Sequence, residues 1–557
     1  MQSKGMIAAT AIGAALVVAI SAQAGAANAP AAEVRRVSAD IRTLASDAFG
    51  GRAPGTEGET RSVAFIIARM KAAGLQPGGP LRNGQRSWTQ SVPLRRVEFV
   101  GSPSLAIGGK VLRQGDDLVV RAPLSGNTSL AIKDAPLVFL GYGVDAPERR
   151  WDDFKGVDLR GKIMVVLVND PDFEATPSED AYDQFGGRAM TYYGRWTYKF
   201  QEAARRGALG CLIIHEDMPA SYGWSVIKSS DGGALFDIVR KDAKAAHPII
   251  EGWLQRATAV DLFKASGLDF EQMKAAARRR DFRPVVLKPS FDVRYQATSR
   301  TIVSHNVLGL LPGKARRHDT VIYSAHWDHL GIGEPDATGD RIYNGAVDNA
   351  SGVAMMLELA RGFATRPRPE RSILFLALTA EEQGLLGSEY YAANPVYPLA
   401  TTVADINVDG ALGGGEARDF SLPGNPQLDL VDLFSVESAR FGRHYTPGSH
   451  PEAGGFYRGD SFSFALRGVP STSFFPGRDL VNGGLARGNA WFDTYNRERY
   501  HQPSDEWRAD LDWGNVLPDL ALLHAVGEKL ANGGQWPQWL PGSEFKALRD
   551  SSSAARR

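Results

Sequence analysis

The chain has 557 residues, with 63 Lys and Arg against 63 Asp and Glu, and one cysteine. That length exceeds what one ordinary core encloses and predicts two folded domains with flanking termini. A formal net charge of zero removes the bulk attraction that a nucleic-acid or anionic-membrane partner would need, which leaves a small molecule or a peptide.

Lys4 precedes an apolar run, 6–20, and then Ser21-Ala22-Gln23-Ala24, whose small residues suit signal-peptidase cleavage after Ala24. Residues 1–24 therefore predict an exported chain, periplasmic or secreted. The competing reading is an uncleaved anchor, since 5–24 approaches the ~20 residues that span a bilayer, but the Ala and Gly content argues against it. No second segment reaches that length, so no stable membrane partner is expected, and no signal for an oligomeric state is present. Cys211 has no partner for a disulfide, and its place in the apolar run 209–214 is that of a small core residue.

Between 34 and 74 two helical stretches flank a glycine-rich turn, 50–58. In the second, Val63, Ile66, Ile67 and Met70 fall at helical spacing and Gly74 supplies a stop. Residues 33–96 read as the first part of the main domain. From 97 to 292, strand-like runs at 104–107, 117–120, 136–140 and 161–167 indicate an inserted β-rich region, with one helix–strand pair at 199–206 and 209–215. The main domain resumes over 293–534, where strands at 320–325, 372–379 and 402–408 alternate with helices at 350–364 and 388–393. Strands so uniformly apolar predict an α/β fold, a mostly parallel mixed sheet covered by helices. The tail, 535–557, lacks periodicity and reads as loosely ordered.

Ligands gather at the carboxyl ends of strands in such sheets. Three predicted strand ends carry metal-type ligands: His326 in Ala325-His326-Trp327-Asp328, the pair Glu381-Glu382, and Asp409 in Asn407-Val408-Asp409. Asp348 stands at the start of a predicted helix in Val347-Asp348-Asn349-Ala350-Ser351-Gly352, where a carboxylate can also serve as a plain N-cap. A further histidine, His501, lies in Tyr500-His501-Gln502-Pro503-Ser504-Asp505. Singly, each has an ordinary explanation. Jointly they supply the imidazole and carboxylate donors that zinc takes, and one carboxylate with two oxygens can bridge two ions.

These five segments, in this order and at about these separations, resemble the metal-site motifs of the M28 family of zinc peptidases. The resemblance covers roughly 301–527 together with 45–74, and implies a zinc-exopeptidase fold. Within the insert, 138–143 and 200–215 resemble a protease-associated (PA) domain spanning about 135–250. Carried over, the resemblance implies two zinc ions. His326 and Asp409 would bind one, Glu382 and His501 the other, with Asp348 bridging. Cobalt or manganese could occupy the same donors. Asp328 would orient the His326 imidazole, and Glu381, free of metal, would be the general base for a metal-activated water attacking a peptide bond at a chain end. Tyr457 is a candidate donor to the oxyanion, its other reading being an aromatic packed beside the cleft. The family often has Ser-Asp-His where this chain has Gly459-Asp460-Ser461, a departure that touches substrate contacts and leaves the metal donors intact. His329, three residues past His326, reads as a loop residue, and His305, His318, His444 and His450 as surface positions.

The activity implied is that of an aminopeptidase. A carboxypeptidase or dipeptidase would need an Arg or Lys for the terminal carboxylate, and Arg52, Arg458, Arg478 and Arg487 lie in glycine-rich segments suited to a cleft. A single-zinc glutaminyl cyclase or a receptor-like module without metal are further alternatives, and each would dispense with donors that this chain retains.

Overall fold

The computed structural model describes residues 31–424, 427–448 and 450–556. The apolar run 6–20, with the expected cleavage site, lies outside the described residues, among which no helix is long and apolar enough to cross a membrane.

Helix α1 (Ala32–Leu44) buries Val34, Val37, Ile41 and Leu44, a stripe at helical spacing. Helix α2 (Glu57–Ala72) starts where the Thr56 hydroxyl accepts the Glu59 N–H, while the Glu59 carboxylate reaches back to the Gly55 N–H. Strand β1 (Thr89–Phe99) leads into the inserted unit, where β2 (Ser129–Phe139), β3 (Ile163–Leu167), β4 (Gly210–His215) and β5 (Ile250–Gln255) form a parallel sheet in the order β2-β3-β4-β5. The expected helix–strand pair is present as α3 (Trp196–Arg205) followed by β4. The insert is thus more parallel than its short strand runs suggested, and Cys211 is fully buried in β4.

A 27-residue strand, β6 (Val285–Leu311), belongs to both units: its first part pairs with β2 and its second with β1. It then borders the main sheet, which continues with β7 (Arg316–His326), α4 (Gly352–Ala364), β8 (Arg371–Leu378), α5 (Leu386–Ala393), β9 (Thr402–Val408) and β10 (Ser471–Pro476). Spatially the order is β6-β8-β7-β9-β10, with only the β6–β8 pairing antiparallel. Every residue of β8 and β9 is buried, as strands covered by helices on both faces must be. The register sets His326 opposite Leu378, and Ser324 opposite Asn407. The carboxyl ends of three neighbouring strands therefore open onto one place.

The tail is not loose. Trp539 and Phe545 are buried, and Arg549 at 1 % exposure donates to the Thr402 and Val403 carbonyl oxygens. It docks through individual large side chains rather than a repeating stripe, so periodicity could not show it.

Insert and main domain are also joined by charge. Arg240 holds Glu389 on α5 in a two-pronged pair at 2.7 and 3.0 Å and bonds Asp237 within the insert. His247 sits between Glu251 at 2.8 Å and Asp237 at 3.2 Å. Burial opposes charge on that imidazole, but Glu251 and Asp237 outweigh it and push the pKa up to about 9. A pKa raised on folding stabilises fully below the unfolded value near 6.5, and that stability is lost as pH rises through 9. The stability gap between the natural chain and a His247→Gln variant, measured by urea unfolding, should narrow by on the order of 3 kcal/mol between about pH 6 and about pH 10. A gap independent of pH would contradict this.

Candidate metal centre

His326 closes β7, Glu381 and Glu382 follow β8 by a short turn through Thr379 and Ala380, and Asp409 follows β9 directly. Asp348 lies in the irregular segment before α4 (φ −108°, ψ 98°), and because Ser351 is the residue that flanks α4, Asp348 does not cap the helix. Its carboxylate instead divides between two rings, with Oδ1 3.2 Å from His326 Nε2 and Oδ2 3.4 Å from His501 Nε2. Around the first ring, Asp409 Oδ1 is at 3.3 Å; around the second, Glu382 Oε2 is at 3.0 Å. Glu381 stands further back, 3.9 Å from His326 Nε2. The five predicted donors are therefore brought together, with Asp348 facing both rings; the sets close enough to hold an ion are His326, Asp348 and Glu382, and His326, Asp409 and Glu381.

The motif residues between the donors hold the loops in place. Asn349 donates to the Val408 carbonyl and accepts the N–H of Gly410, and the Ser351 hydroxyl accepts the Ala411 N–H. The Asp348 loop is thereby stitched to the Asp409 loop. Gly352 is required because a Cβ there would lie 2.2 Å from Asn349 Oδ1 and Val408 O. Asp505, from the His501 motif, accepts the backbone N–H groups of Val347 and Asp348, each at 3.1 Å. Arg52, fully buried, donates to the carbonyls of Leu44, Trp327, Asn344 and Gly345. It pins the loops on either side of the site and is not free for a substrate carboxylate, so it drops out as a clamp.

His326 Nδ1 donates to the Asp328 carbonyl oxygen at 3.2 Å, while the Asp328 carboxylate, 3.7 Å away, accepts the Glu381 N–H. Asp328 thus orients the ring chiefly through its backbone and Glu381 through its side chain. His329 is buried, with Nδ1 2.5 Å from Glu382 Oε1. It orients a donor, which nothing in its spacing distinguished from a loop residue. His305 bonds Glu59 at 2.9 Å, while His318, His444 and His450 are exposed. The Tyr457 hydroxyl bonds Glu544 at 3.3 Å and its ring packs on Phe456 and Phe462. Tyr500 instead stacks on His501 at 3.9 Å, its hydroxyl 3.4 Å from Arg458 Nη2. Arg478 lies over the Phe492 ring, and Arg487 pairs with Asp512.

Asp328, Asp348, Glu381, Glu382, Asp409 and Asp460 crowd carboxylates around two imidazoles. Burial pushes Glu381 well above the carboxylate range, with Asp409 and Glu382 adding to it against His326. Burial opposes charge on His326 and His501, yet the carboxylates push both rings well up. Neither Nε2 makes a hydrogen bond of proper geometry. Donors about 2.1 Å from a tetrahedral ion lie roughly 3.4 Å from one another, which is the spacing seen here. Nitrogen and oxygen donors, excess negative charge and orphaned Nε2 atoms together fit divalent-cation binding.

Residues 306–518 match the family described as Peptidase family M28. This segment is an M28 domain. A "Probable zinc metalloprotease" of Pyricularia oryzae is 39 % identical over 246 residues, 39 % of this chain and 45 % of the relative. "Aminopeptidase YwaD" of Bacillus subtilis is 37 % identical over 89 residues, 16 % of this chain and 17 % of that protein. The chain thus spans less than half the length of these curated relatives. Among solved structures, an aminopeptidase from Aneurinibacillus sp. strain AM-1 shares the fold with a TM-score of 0.51 at 19 % identity, over 90 % of this chain and 95 % of that one. The M28 match begins at Asn306 in the second half of β6 and includes all five donors.

Removing the His329 contact should loosen Glu382 without touching a donor. His329→Ala should lower zinc affinity by roughly 10–100-fold in a competition titration with a metal-sensitive dye, and unchanged affinity would refute the orienting role.

Proposed function

We propose that the chain is an exported two-zinc exopeptidase, an aminopeptidase that hydrolyses peptides from the amino end. The observation that carries this reading is the Asp348 carboxylate shared between His326 and His501. In it, His326 and Asp409 hold one zinc, Glu382 and His501 the other, and Asp348 both; cobalt or manganese suits the same donors. The relatives named as a zinc metalloprotease and an aminopeptidase support the assignment. When bound, the ions lower the pKa of water toward neutrality and polarise the scissile carbonyl.

Glu381 is the general base. It is beside the donor set but 3.9 Å from the His326 nitrogen, and the Asp328 carboxylate holds its backbone. Burial raises its proton affinity, which suits a group that takes a proton from water and returns it to the departing amine. Tyr500, stacked on His501, is better placed than Tyr457 to donate to the oxyanion, because the Tyr457 hydroxyl is engaged by Glu544.

The site opens into a cavity of about 430 Å³ walled by Glu381, Glu382, Tyr500 and His501 from one unit and by Arg195, Tyr222 and Trp253 from the other. A wall supplied by the insert, which we read as PA-like, suits a chain end better than a continuous polypeptide. The leader, with Lys4 and the small residues before Gly25, supports export to the periplasm or medium.

A screen of aminoacyl substrates and N-acetylated dipeptides with zinc-loaded protein tests the reading. Free amino termini should be cleaved and blocked ones spared. Glu381→Gln should keep both ions and lose about 10²–10⁴-fold in kcat. Undiminished turnover in that variant would remove Glu381 as the base, and preference for blocked amino termini would turn the assignment to a carboxypeptidase.

A further inference from the structure

Arg195 is a buried cation without a partner. It is 7 % exposed, its Nε is buried without a hydrogen bond, and the charged groups that act on it most are Arg458 and Tyr222, Tyr500 and Tyr192. The other buried arginines of the described residues are all engaged. Arg52, Arg371 and Arg549 donate to backbone carbonyls, Arg121 pairs with Asp231 and Glu251, and Arg443 with Asp519. Removing a charge from water without compensation is costly, so an unpaired guanidinium kept in a cavity wall points to something that enters the cavity.

That cavity is the one onto which the metal centre opens. A second guanidinium, Arg458, lines it, 5.6 Å from the Tyr222 ring centre and 3.4 Å from the hydroxyl of Tyr500, which itself stacks on His501. Burial and then the repulsion of Arg458 pull Arg195 down to about 10. Arg195 also occupies the N-cap of α3, where no side chain caps the first turn, and Trp196 and Thr197 of that turn line the same cavity; an uncapped helix start adds positive potential. Of the acidic residues in the wall, Asp231 and Glu251 are committed to Arg121 and Asp237 and Glu389 to Arg240, while Glu381 and Glu382 belong to the metal centre. The cavity therefore has a positive end that no carboxylate pairs with directly, one aromatic ring away from His501, and Glu381 of the metal centre is the acidic group that acts on Arg458 across it.

We propose that Arg195 and Arg458 bind a carboxylate on the departing part of the substrate, so that the enzyme selects short peptides with a free carboxyl terminus. The proposal rests on the peptidase reading above. The same chemistry could come from an acidic side chain in the departing residue, and the choice of peptides separates the two sources. Arg195 is supplied by the inserted unit, which would then read the far end of the substrate while the M28 domain performs the cleavage.

The test compares kcat/KM for Leu-Gly, Leu-Gly-amide and Leu-Glu-amide. The natural chain should prefer Leu-Gly over its amide by about tenfold or more, chiefly through KM. Arg195→Met should bring that ratio close to one, and Arg195→Lys should restore part of it. A gain for Leu-Glu-amide in place of Leu-Gly supports the carboxylate site with the side chain as its source. Equal rates for all three peptides in the natural chain, or a preference unchanged by Arg195→Met, overturn the proposal. Because an unpaired buried cation costs stability, Arg195→Met should melt no lower than the natural chain, and a marked loss would mean a structural arginine instead. If none of the peptides is cleaved, the peptidase reading fails by itself. Calorimetric binding of N-acetylglycine against N-acetylglycinamide still decides the anion site: weakened acid binding in Arg195→Met supports it, and equal binding in both proteins overturns it.

Discussion

One carboxylate governs the arrangement. Asp348 faces His326 with one oxygen and His501 with the other, and the parts of the chain that bring those residues together are otherwise remote. His326 comes from a strand end, His501 from a loop after a helix, and Asp348 from an irregular turn that backbone propensity alone would not hold. Three supports fix that turn: Asp505 on its N–H groups, Asn349 and Ser351 on the Asp409 loop, and Arg52 beneath its carbonyls. Apart from the half-buried Gly410–Asn349 contact, these are buried hydrogen bonds that would be expensive to leave unmade. Only with the turn held can one carboxylate serve two donor groups.

The insert is tied to this centre mechanically and electrically. β6 runs through both sheets, and Arg240 joins Asp237 in one unit to Glu389 in the other. The cavity wall is then continuous across two cores, one around the main sheet and one around Phe139, Leu212 and Phe263. Rigid attachment matters for chemistry, because a wall that reads part of a substrate must keep a fixed distance from the residues that cleave it.

What could be read beforehand divides along a physical line. Uniformly apolar runs separated by helical stripes led to the parallel sheet, since burial on both faces leaves that signature; β9 matches its expected bounds, and β7 and β8 differ by a few residues. The donors were legible because metal-type side chains at strand ends are rare in combination and came with their neighbours in order. Residues that act through tertiary contacts left no trace. His329 looks like any loop histidine until Glu382 is seen 2.5 Å away. Arg52 in its glycine-rich turn looked like a substrate clamp, yet its guanidinium meets only carbonyls. Arg195, more than 100 positions before the first donor, gave no sequence signal at all. The 535–556 segment misled because its anchors, Trp539 and Arg549, are single contacts without period.

The claim on which the account turns is that Asp348 joins two cation sites. Anomalous diffraction at the zinc edge from crystals of the zinc-loaded protein measures it directly. The account predicts two peaks about 3.5–4 Å apart, one beside His326 and Asp409, the other beside His501 and Glu382, with the Asp348 carboxylate between them. A single peak, or two peaks with Asp348 turned away from either, would contradict it.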